Sequence, residues 1–580
     1  LPFKHSELRN YLEETQIPVT RRDFLLGGIG LTGLGLIGSL SWKHFFQYGK
    51  AKKPSHFSVP GSIVDDDSQV GHLLRQPFRD DILPKPSGKT FPVVIIGGGV
   101  AGVSAGWKLR RAGVKDFLIL DLAEQLGGTS TAGEANGTKF PWAAHYINTP
   151  PPEARCIIEV LRDLDVIIGL RHDGWPIVNP GHIVAEPEER LFINGHWLSA
   201  IDPTPEGTTY DKKVFREFDQ DMQRWMLHKG RDGKRAFSIP MAYGSQDRDI
   251  LALDQMSMRE YISDKGWHSP QLDWYLNYCC KDDYCALIED TSAWAGIHYH
   301  ACRYYAAGLQ DRFPVDTLTW PEGNNFLIKG MARNFKPENV RLNALVVAVR
   351  QDAEGVLVTF LDTKTRDLKT LQGEKAIFAG HKNIARYIVR NLPEDQNEAF
   401  AGCVYSPWLT AAIHFKHLPE TQGSETAWDN VMFGANSVGY VLADHQSNAR
   451  QDNRHDQPTV ATFYLPLYDR DVRANRVELL SRGHDHWVQK IMSELWEMHP
   501  DIETLVEKID VKKIGHAMIR PKPGFIWGEN RMLRAQRFGH LSFANADTPG
   551  LPLFEEACFS GISAAEEVLR ALKISFVESC

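Results

Sequence analysis

An α/β fold with more than one core is predicted for this chain by three observations. The first is the stretch Val93-Val-Ile-Ile-Gly-Gly-Gly-Val-Ala-Gly102, a β-branched strand that runs through a glycine turn into a helix. The second is a further apolar strand, Asp116-Phe-Leu-Ile-Leu-Asp121, that ends on an acid. The third is the return of strand patterns far downstream, at residues 341–350, 356–361, 375–380 and 541–547. A length of 580 residues with 43% hydrophobic content is enough for a large globular protein with several cores.

Each element has a physical reason. Gly97, Gly99 and Gly102 occupy the positions of a G-x-G-x-x-G fingerprint. The first allows the tight turn, the second lets backbone approach a pyrophosphate, and the third lets helix and strand pack closely. The helix N-terminus offers free N–H groups and a positive dipole end to phosphate. Asp121 lies about twenty residues on, where a ribose hydroxyl requires an acceptor. A dinucleotide site is therefore predicted. A second glycine pair, Gly127-Gly128, follows just beyond the acid. NAD-dependent dehydrogenases have no need of such a pair, whereas two-motif flavoproteins use it to bring more backbone to the FAD diphosphate. FAD is the predicted cofactor.

With these motifs the chain resembles the flavin-containing amine oxidase superfamily, and within it the spermidine-dehydrogenase-like enzymes. The resemblance covers residues 91–575. It implies that the Val346 backbone bonds adenine and that Asp547 bonds the ribityl chain. It also implies that the helix starting around Phe554 points its N-terminus at the isoalloxazine. The family usually has arginine after the second glycine pair, where this chain has Thr129, and glycine before the final acid, where it has Asn545-Ala546. The implied architecture is a discontinuous Rossmann-type FAD-binding domain, residues 91–150, 331–390 and 511–580. An α+β substrate domain is inserted as 151–330 and 391–510. Residues 1–42 read as a signal or anchor, and 43–90, polar with scattered prolines, as a tether.

Three residues are candidates for the chemistry. His145 follows Ala143-Ala144, small residues that permit a turn to pass close to a flavin. Asp283, beside Asp282 in the aromatic segment Trp274–Cys285, could hold a cationic amine, although two acids next to a lysine also suit a solvated loop or a helix cap. Trp408, with Thr410, stands where oxygen-reactive relatives place a lysine near flavin N5, and Lys416 is too far along the strand. Trp527 reads equally well as a pocket wall or a core residue. No metal site is predicted: His298 and Cys302 share a helical face, but His300 points elsewhere.

The net charge of −8 offers no basic field for nucleic acid. Thr20-Arg-Arg-Asp-Phe-Leu-Leu26 matches the twin-arginine export pattern and precedes the glycine-rich apolar stretch Gly27–Leu40. Export to the periplasm is expected, with the segment either cut inefficiently or kept as an N-terminal membrane anchor. The predicted function is oxidation of a polyamine-like small-molecule amine by hydride transfer to flavin N5. Electrons would then pass to a quinone, a cytochrome or O2. The alternatives are a desaturase or isomerase acting on a large apolar substrate, and a non-catalytic flavin-bearing subunit.

Overall fold

The computed structural model describes residues 53–580 apart from Pro77, Asn136, 307–311, 420–422 and 449–456. The twin-arginine motif and its apolar stretch lie outside the described residues. The fold is α/β, organised around two large sheets.

The first sheet carries the fingerprint. Val93, Val94 and Ile95 are fully buried, as strands covered on both faces must be. Their strand, Pro86–Ile96, runs parallel to Phe117–Leu120 on one side and Leu368–Phe378 on the other. The N-terminal half of Leu368–Phe378 also pairs antiparallel with Val356–Asp362, and its C-terminal half pairs parallel with Leu541–Phe543. Segments separated by hundreds of residues thus close one Rossmann-like sheet. The helices Val100–Arg111 and Phe554–Ala571 pack on it through Ala101, Ala105, Ala564, Ala565 and Val568. Small residues there allow two helices to lie close together and close to the sheet.

The second sheet is mixed and has eight strands, with Tyr405–Phe415, Thr459–Pro466 and Val506–Ile519 at its centre. Val506–Ile519 belongs to it along its whole length, so the sequence boundary at 511 falls inside a strand. Helices between residues 209 and 301 form a separate core under this sheet, around Phe218, Trp294 and Tyr284.

The segment expected to be a tether is docked wherever it is described. Phe57 is buried against the second sheet. Gln489 grips the Phe57 backbone from both sides, accepting from its N–H at 2.9 Å and donating to its carbonyl at 2.8 Å. Ile63–Val64 then adds a parallel strand to Val511 and Lys512. Unpaired backbone at a sheet edge is a strong docking site, and a proline-punctuated sequence conceals that outcome. Two helices, Val472–Ser481 and His484–Met498, broken at Arg482-Gly483, pack on this second sheet.

Candidate active site

The two glycine turns predicted to hold phosphate are bonded to each other. Gly127 N–H donates to the Gly98 carbonyl at 2.8 Å, and Gly99 bridges Gly127. Gly127 and Gly128 have φ of +129° and +60°, backbone that side chains rarely adopt. A Cβ on Gly99 would meet only the Gly128 Cα, at 4.0 Å, so the space beside it is open. A Cβ on Gly102 would sit 1.9 Å from the Gly97 carbonyl oxygen. Gly99 is also the N-cap of Val100–Arg111 and offers no side-chain cap, so the first-turn N–H groups face the gap.

Asp121 accepts from the Ala123 N–H at 2.7 Å and from the Gly98 N–H. Burial raises its pKa, against the pull of those two hydrogen bonds. A cavity of about 280 Å3 starts at Gly97, Gly99 and Asp121, passes Gly127 and Gly128, and continues to Asp547 and Phe554. A cradle of bare backbone N–H at one end and carboxylates along its length fits a dinucleotide. Gly102 lies beneath this cavity rather than in its wall. Val346 also lies outside the wall. Its strand starts where Ala344 N–H donates to the Asp121 carbonyl, and the Val346 side chain is buried in the sheet core.

Asp547 is fully buried and accepts from the Lys382 N–H at 2.9 Å and the Tyr405 hydroxyl. Burial opposes its ionisation, yet the facing His381 at 3.7 Å, the charge of Lys382 and the Tyr405 hydroxyl bond hold its carboxyl below the ordinary range. Asn545, in the place of the family's glycine, adopts φ +141°. Its amide holds that conformation by donating to the Ala379 carbonyl at 3.1 Å.

Beyond Phe554 the cavity opens into a second, of about 150 Å3. Thr129, Ala144, Ala517, Pro552, Leu553 and Phe554 line both. Small residues at this junction leave room for a flat ring. His145 lines the second pocket, its Nδ1 donating to the Ala143 carbonyl at 3.1 Å. Its ring packs 4.8 Å from Tyr464 and 5.3 Å from Trp428. The Tyr464 hydroxyl donates to the same Ala143 carbonyl at 2.9 Å, clamping the turn that carries His145. Trp408 is a pocket wall, whereas Thr410, two residues further along its strand, is fully buried and does not reach the pocket. Lys416 donates instead to the Thr504 carbonyl.

The acids of the pocket are arranged differently from the sequence expectation. Asp282 and Asp283 are on the last turn of the helix Pro270–Tyr284, in neither a loop nor an N-cap. Asp283 lines the pocket but its carboxylate is held by Arg303 at 2.6 Å, so it is not available as the partner of a cation. Asp282, half-buried at the same wall, accepts a long hydrogen bond of 3.5 Å from the Tyr146 hydroxyl. Glu555, on the first turn of Phe554–Ala571, is a further wall residue, and burial pushes its pKa up to about 7. Its neighbour Glu556 points to a different cavity, accepts from the Met241 N–H, and is pushed by burial to about 8.

Sequence reading missed Tyr464, Arg303 and Glu555. Only Glu555 left a signal there, an acid pair at the head of an amphipathic helix. Trp527 packs on Trp294 at 5.6 Å and under Arg531 at 3.9 Å, away from the pocket. His298 donates through Nε2 to the Ser238 carbonyl at 2.9 Å and faces Cys302, while His300 packs on Phe218 and Tyr275. Among the described residues no group of three ligating side chains forms a metal site.

Comparison with known proteins agrees with this geometry. A family profile described as an NAD(P)-binding Rossmann-like domain matches residues 95–164. An L-amino-acid oxidase of Demansia vestigiata is 21% identical over 522 residues, which are 83% of this chain and 87% of that protein. Among solved structures, a putrescine oxidase double mutant superposes with a TM-score of 0.60 at 14% identity, covering 83% of this chain and 99% of that one. Cyclohexylamine oxidase from Brevibacterium oxydans gives 0.59 at 12% identity, over 84% and 100%. A fatty acid isomerase from P. acnes gives 0.55 at 13%, over 83% and 99%. With a Rossmann-like dinucleotide unit, a second mixed sheet and a pocket where the two meet, this chain shares the fold of the putrescine and cyclohexylamine oxidases.

Proposed function

We propose that the protein is an FAD-dependent oxidoreductase that oxidises a cationic, polyamine-like amine. One observation carries this reading: the pocket at the end of the dinucleotide cavity gathers Asp282, Asp283 and Glu555 against a single guanidinium, Arg303. That excess of acid, within walls of Tyr464, Trp408 and Tyr146, suits an ammonium group through charge and cation–π attraction. The putrescine and cyclohexylamine oxidases among the fold relatives point the same way. An isomerase or desaturase of long apolar chains, as the fatty acid isomerase likeness would suggest, calls for an extended apolar tunnel. A pocket of about 150 Å3 lined by three carboxyl groups and a guanidinium is a poor match for one. The shared junction between the two cavities favours turnover over a silent flavin-bearing subunit.

Bound in the cavity, FAD supplies the hydride acceptor. The residues do the rest. Asp282 attracts the ammonium, the aromatic walls exclude water, and the Tyr464–Ala143 bond holds His145 in the pocket wall. Asp282→Asn is expected to raise the KM for amines about tenfold with a smaller effect on kcat, because it removes binding common to ground and transition states. An unchanged KM would remove Asp282 from the binding site.

The electron acceptor follows from the cations. Among the described residues the one Lys or Arg lining the pocket is Arg303, already paired, and the family resemblance puts the wall residue Trp408 in the place of the relatives' lysine. Reduced flavin then lacks a free positive charge to stabilise developing superoxide. Reoxidation by a quinone or an artificial dye is expected to be fast and reoxidation by O2 slow, which stopped-flow mixing with each acceptor compares directly. Rapid peroxide formation in air would restore a simple oxidase.

The twin-arginine reading places the enzyme in the periplasm, near such acceptors. Arg21→Lys with Arg22→Lys is expected to leave the cofactor-loaded protein in the cytoplasm. Export of that double variant at the normal level would show the pair to be incidental.

A further inference from the structure

We propose that Glu555 is the base that takes the ammonium proton from the bound amine before its carbon is oxidised. The inference rests on the amine reading above, which uses Glu555 only for its charge, and assigns that residue a chemical role. The chemistry requires such a group. An amine binds as R–CH2–NH3+, but hydride can leave the carbon only when the nitrogen lone pair is free to form the C=N bond. The proton on nitrogen must first move to an acceptor. In the balanced step, the Glu555 carboxylate becomes the carboxylic acid and the ammonium becomes the neutral amine. The C–H electron pair then leaves with hydrogen to the oxidised flavin, and the product is the iminium R–CH=NH2+.

Position singles out Glu555. It directly follows Pro552, Leu553 and Phe554, the run that lines both the cofactor cavity and the substrate pocket. No other carboxylate of the pocket lies so close in the chain to the junction. Asp283 is tied to Arg303 at 2.6 Å, and Asp282 stands beside Tyr146. Glu555 is 5% exposed, a carboxyl buried inside a substrate pocket.

Its electrostatic surroundings are mixed. Burial is the largest influence and disfavours the charged form. Arg303 and the N–H groups of Asn148 and Glu555 favour that form, and Asp283 opposes it. Glu556, Cys302 and Cys558 also face it electrostatically. His145 and Tyr146 share its pocket. The outcome, about 7, is the range in which a carboxyl serves as a base at neutral pH. A bound cation draws the proton off it.

Calorimetry with tert-butylamine tests this without turnover, because that amine has no hydrogen on the carbon bearing nitrogen. Titrating it into the oxidised holoprotein at pH 7, in two buffers of different ionisation enthalpy, counts the protons released. A net release of a fraction of a proton per site is expected from the wild type, because a bound cation favours the Glu555 carboxylate that burial otherwise keeps partly protonated. Glu555→Gln should bind the amine with no release, whereas Glu555→Asp and His145→Asn should keep it. In anaerobic mixing with an oxidisable amine, Glu555→Gln should also reduce its flavin about a hundredfold more slowly at pH 7 and lose the rise in rate around pH 7. Release that persists in Glu555→Gln, or vanishes in His145→Asn alone, overturns the proposal while leaving the amine reading intact. Wild-type protein that binds no amine at all overturns both.

Discussion

A Gly99→Leu chain is expected to fold and to purify without flavin. The backbone at Gly99 has φ −72°, which any residue adopts, and a Cβ there meets nothing closer than the Gly128 Cα at 4.0 Å. The fold therefore tolerates the side chain, but the leucine fills the gap between the two glycine turns where pyrophosphate must lie. Gly102→Ala should behave in the opposite way. Its methyl would lie 1.9 Å from the Gly97 carbonyl oxygen, backbone against backbone, so helix and turn must separate. Overpacking of that kind costs about 3 kcal/mol, a large part of a typical net stability. Visible absorbance of purified Gly99→Leu, beside the thermal midpoints of both variants, reads out the contrast. Flavin retained by Gly99→Leu would mean that the phosphates pass elsewhere.

The second large effect is expected at Arg303. Its guanidinium holds the nearly inaccessible Asp283 at 2.6 Å and stacks 4.5 Å from the Tyr299 ring. Arg303→Met keeps most of the packing but leaves Asp283 and Glu555 buried without a counter-charge. Removing one partner of a buried pair costs about 3–5 kcal/mol, more than a surface ion pair contributes. The thermal midpoint should fall clearly, and Arg303→Met with Asp283→Asn should recover part of the loss. If the single and double variants melt together at the wild-type temperature, the pair has no structural weight.

Local physics made part of this site legible in the sequence. The glycine fingerprint is contiguous, and each glycine answers a steric demand that no other residue meets, so Gly97, Gly99, Gly127 and Gly128 could be placed from residue type alone. The Ala143-Ala144 turn and His145 were legible for the same reason, small residues beside a candidate ring. Tyr464 and Arg303 were not, because they reach the pocket from separate segments and only sheet pairing and helix packing bring them there. Asp283 looked like an amine ligand because an acid pair beside aromatics carries no trace of a distant arginine. The docking of residues 53–64 was hidden because edge-strand addition depends on an open partner strand, which pattern does not reveal. Asn545 shows the reverse case: a non-glycine residue takes a positive φ because its amide bonds the neighbouring backbone.

On the proposed reading, a flavin in the Gly97–Phe554 cavity is reduced by an amine held in the adjoining acidic pocket. Anaerobic mixing of the oxidised holoprotein with a panel of di- and polyamines, monoamines, L-amino acids and unsaturated fatty acids tests it most directly, with flavin absorbance as the readout. Bleaching by polyamine-like cations, and none by fatty acids, is the expected result. A flavin that stays oxidised with every amine, or bleaches only with an apolar substrate, would contradict the claim.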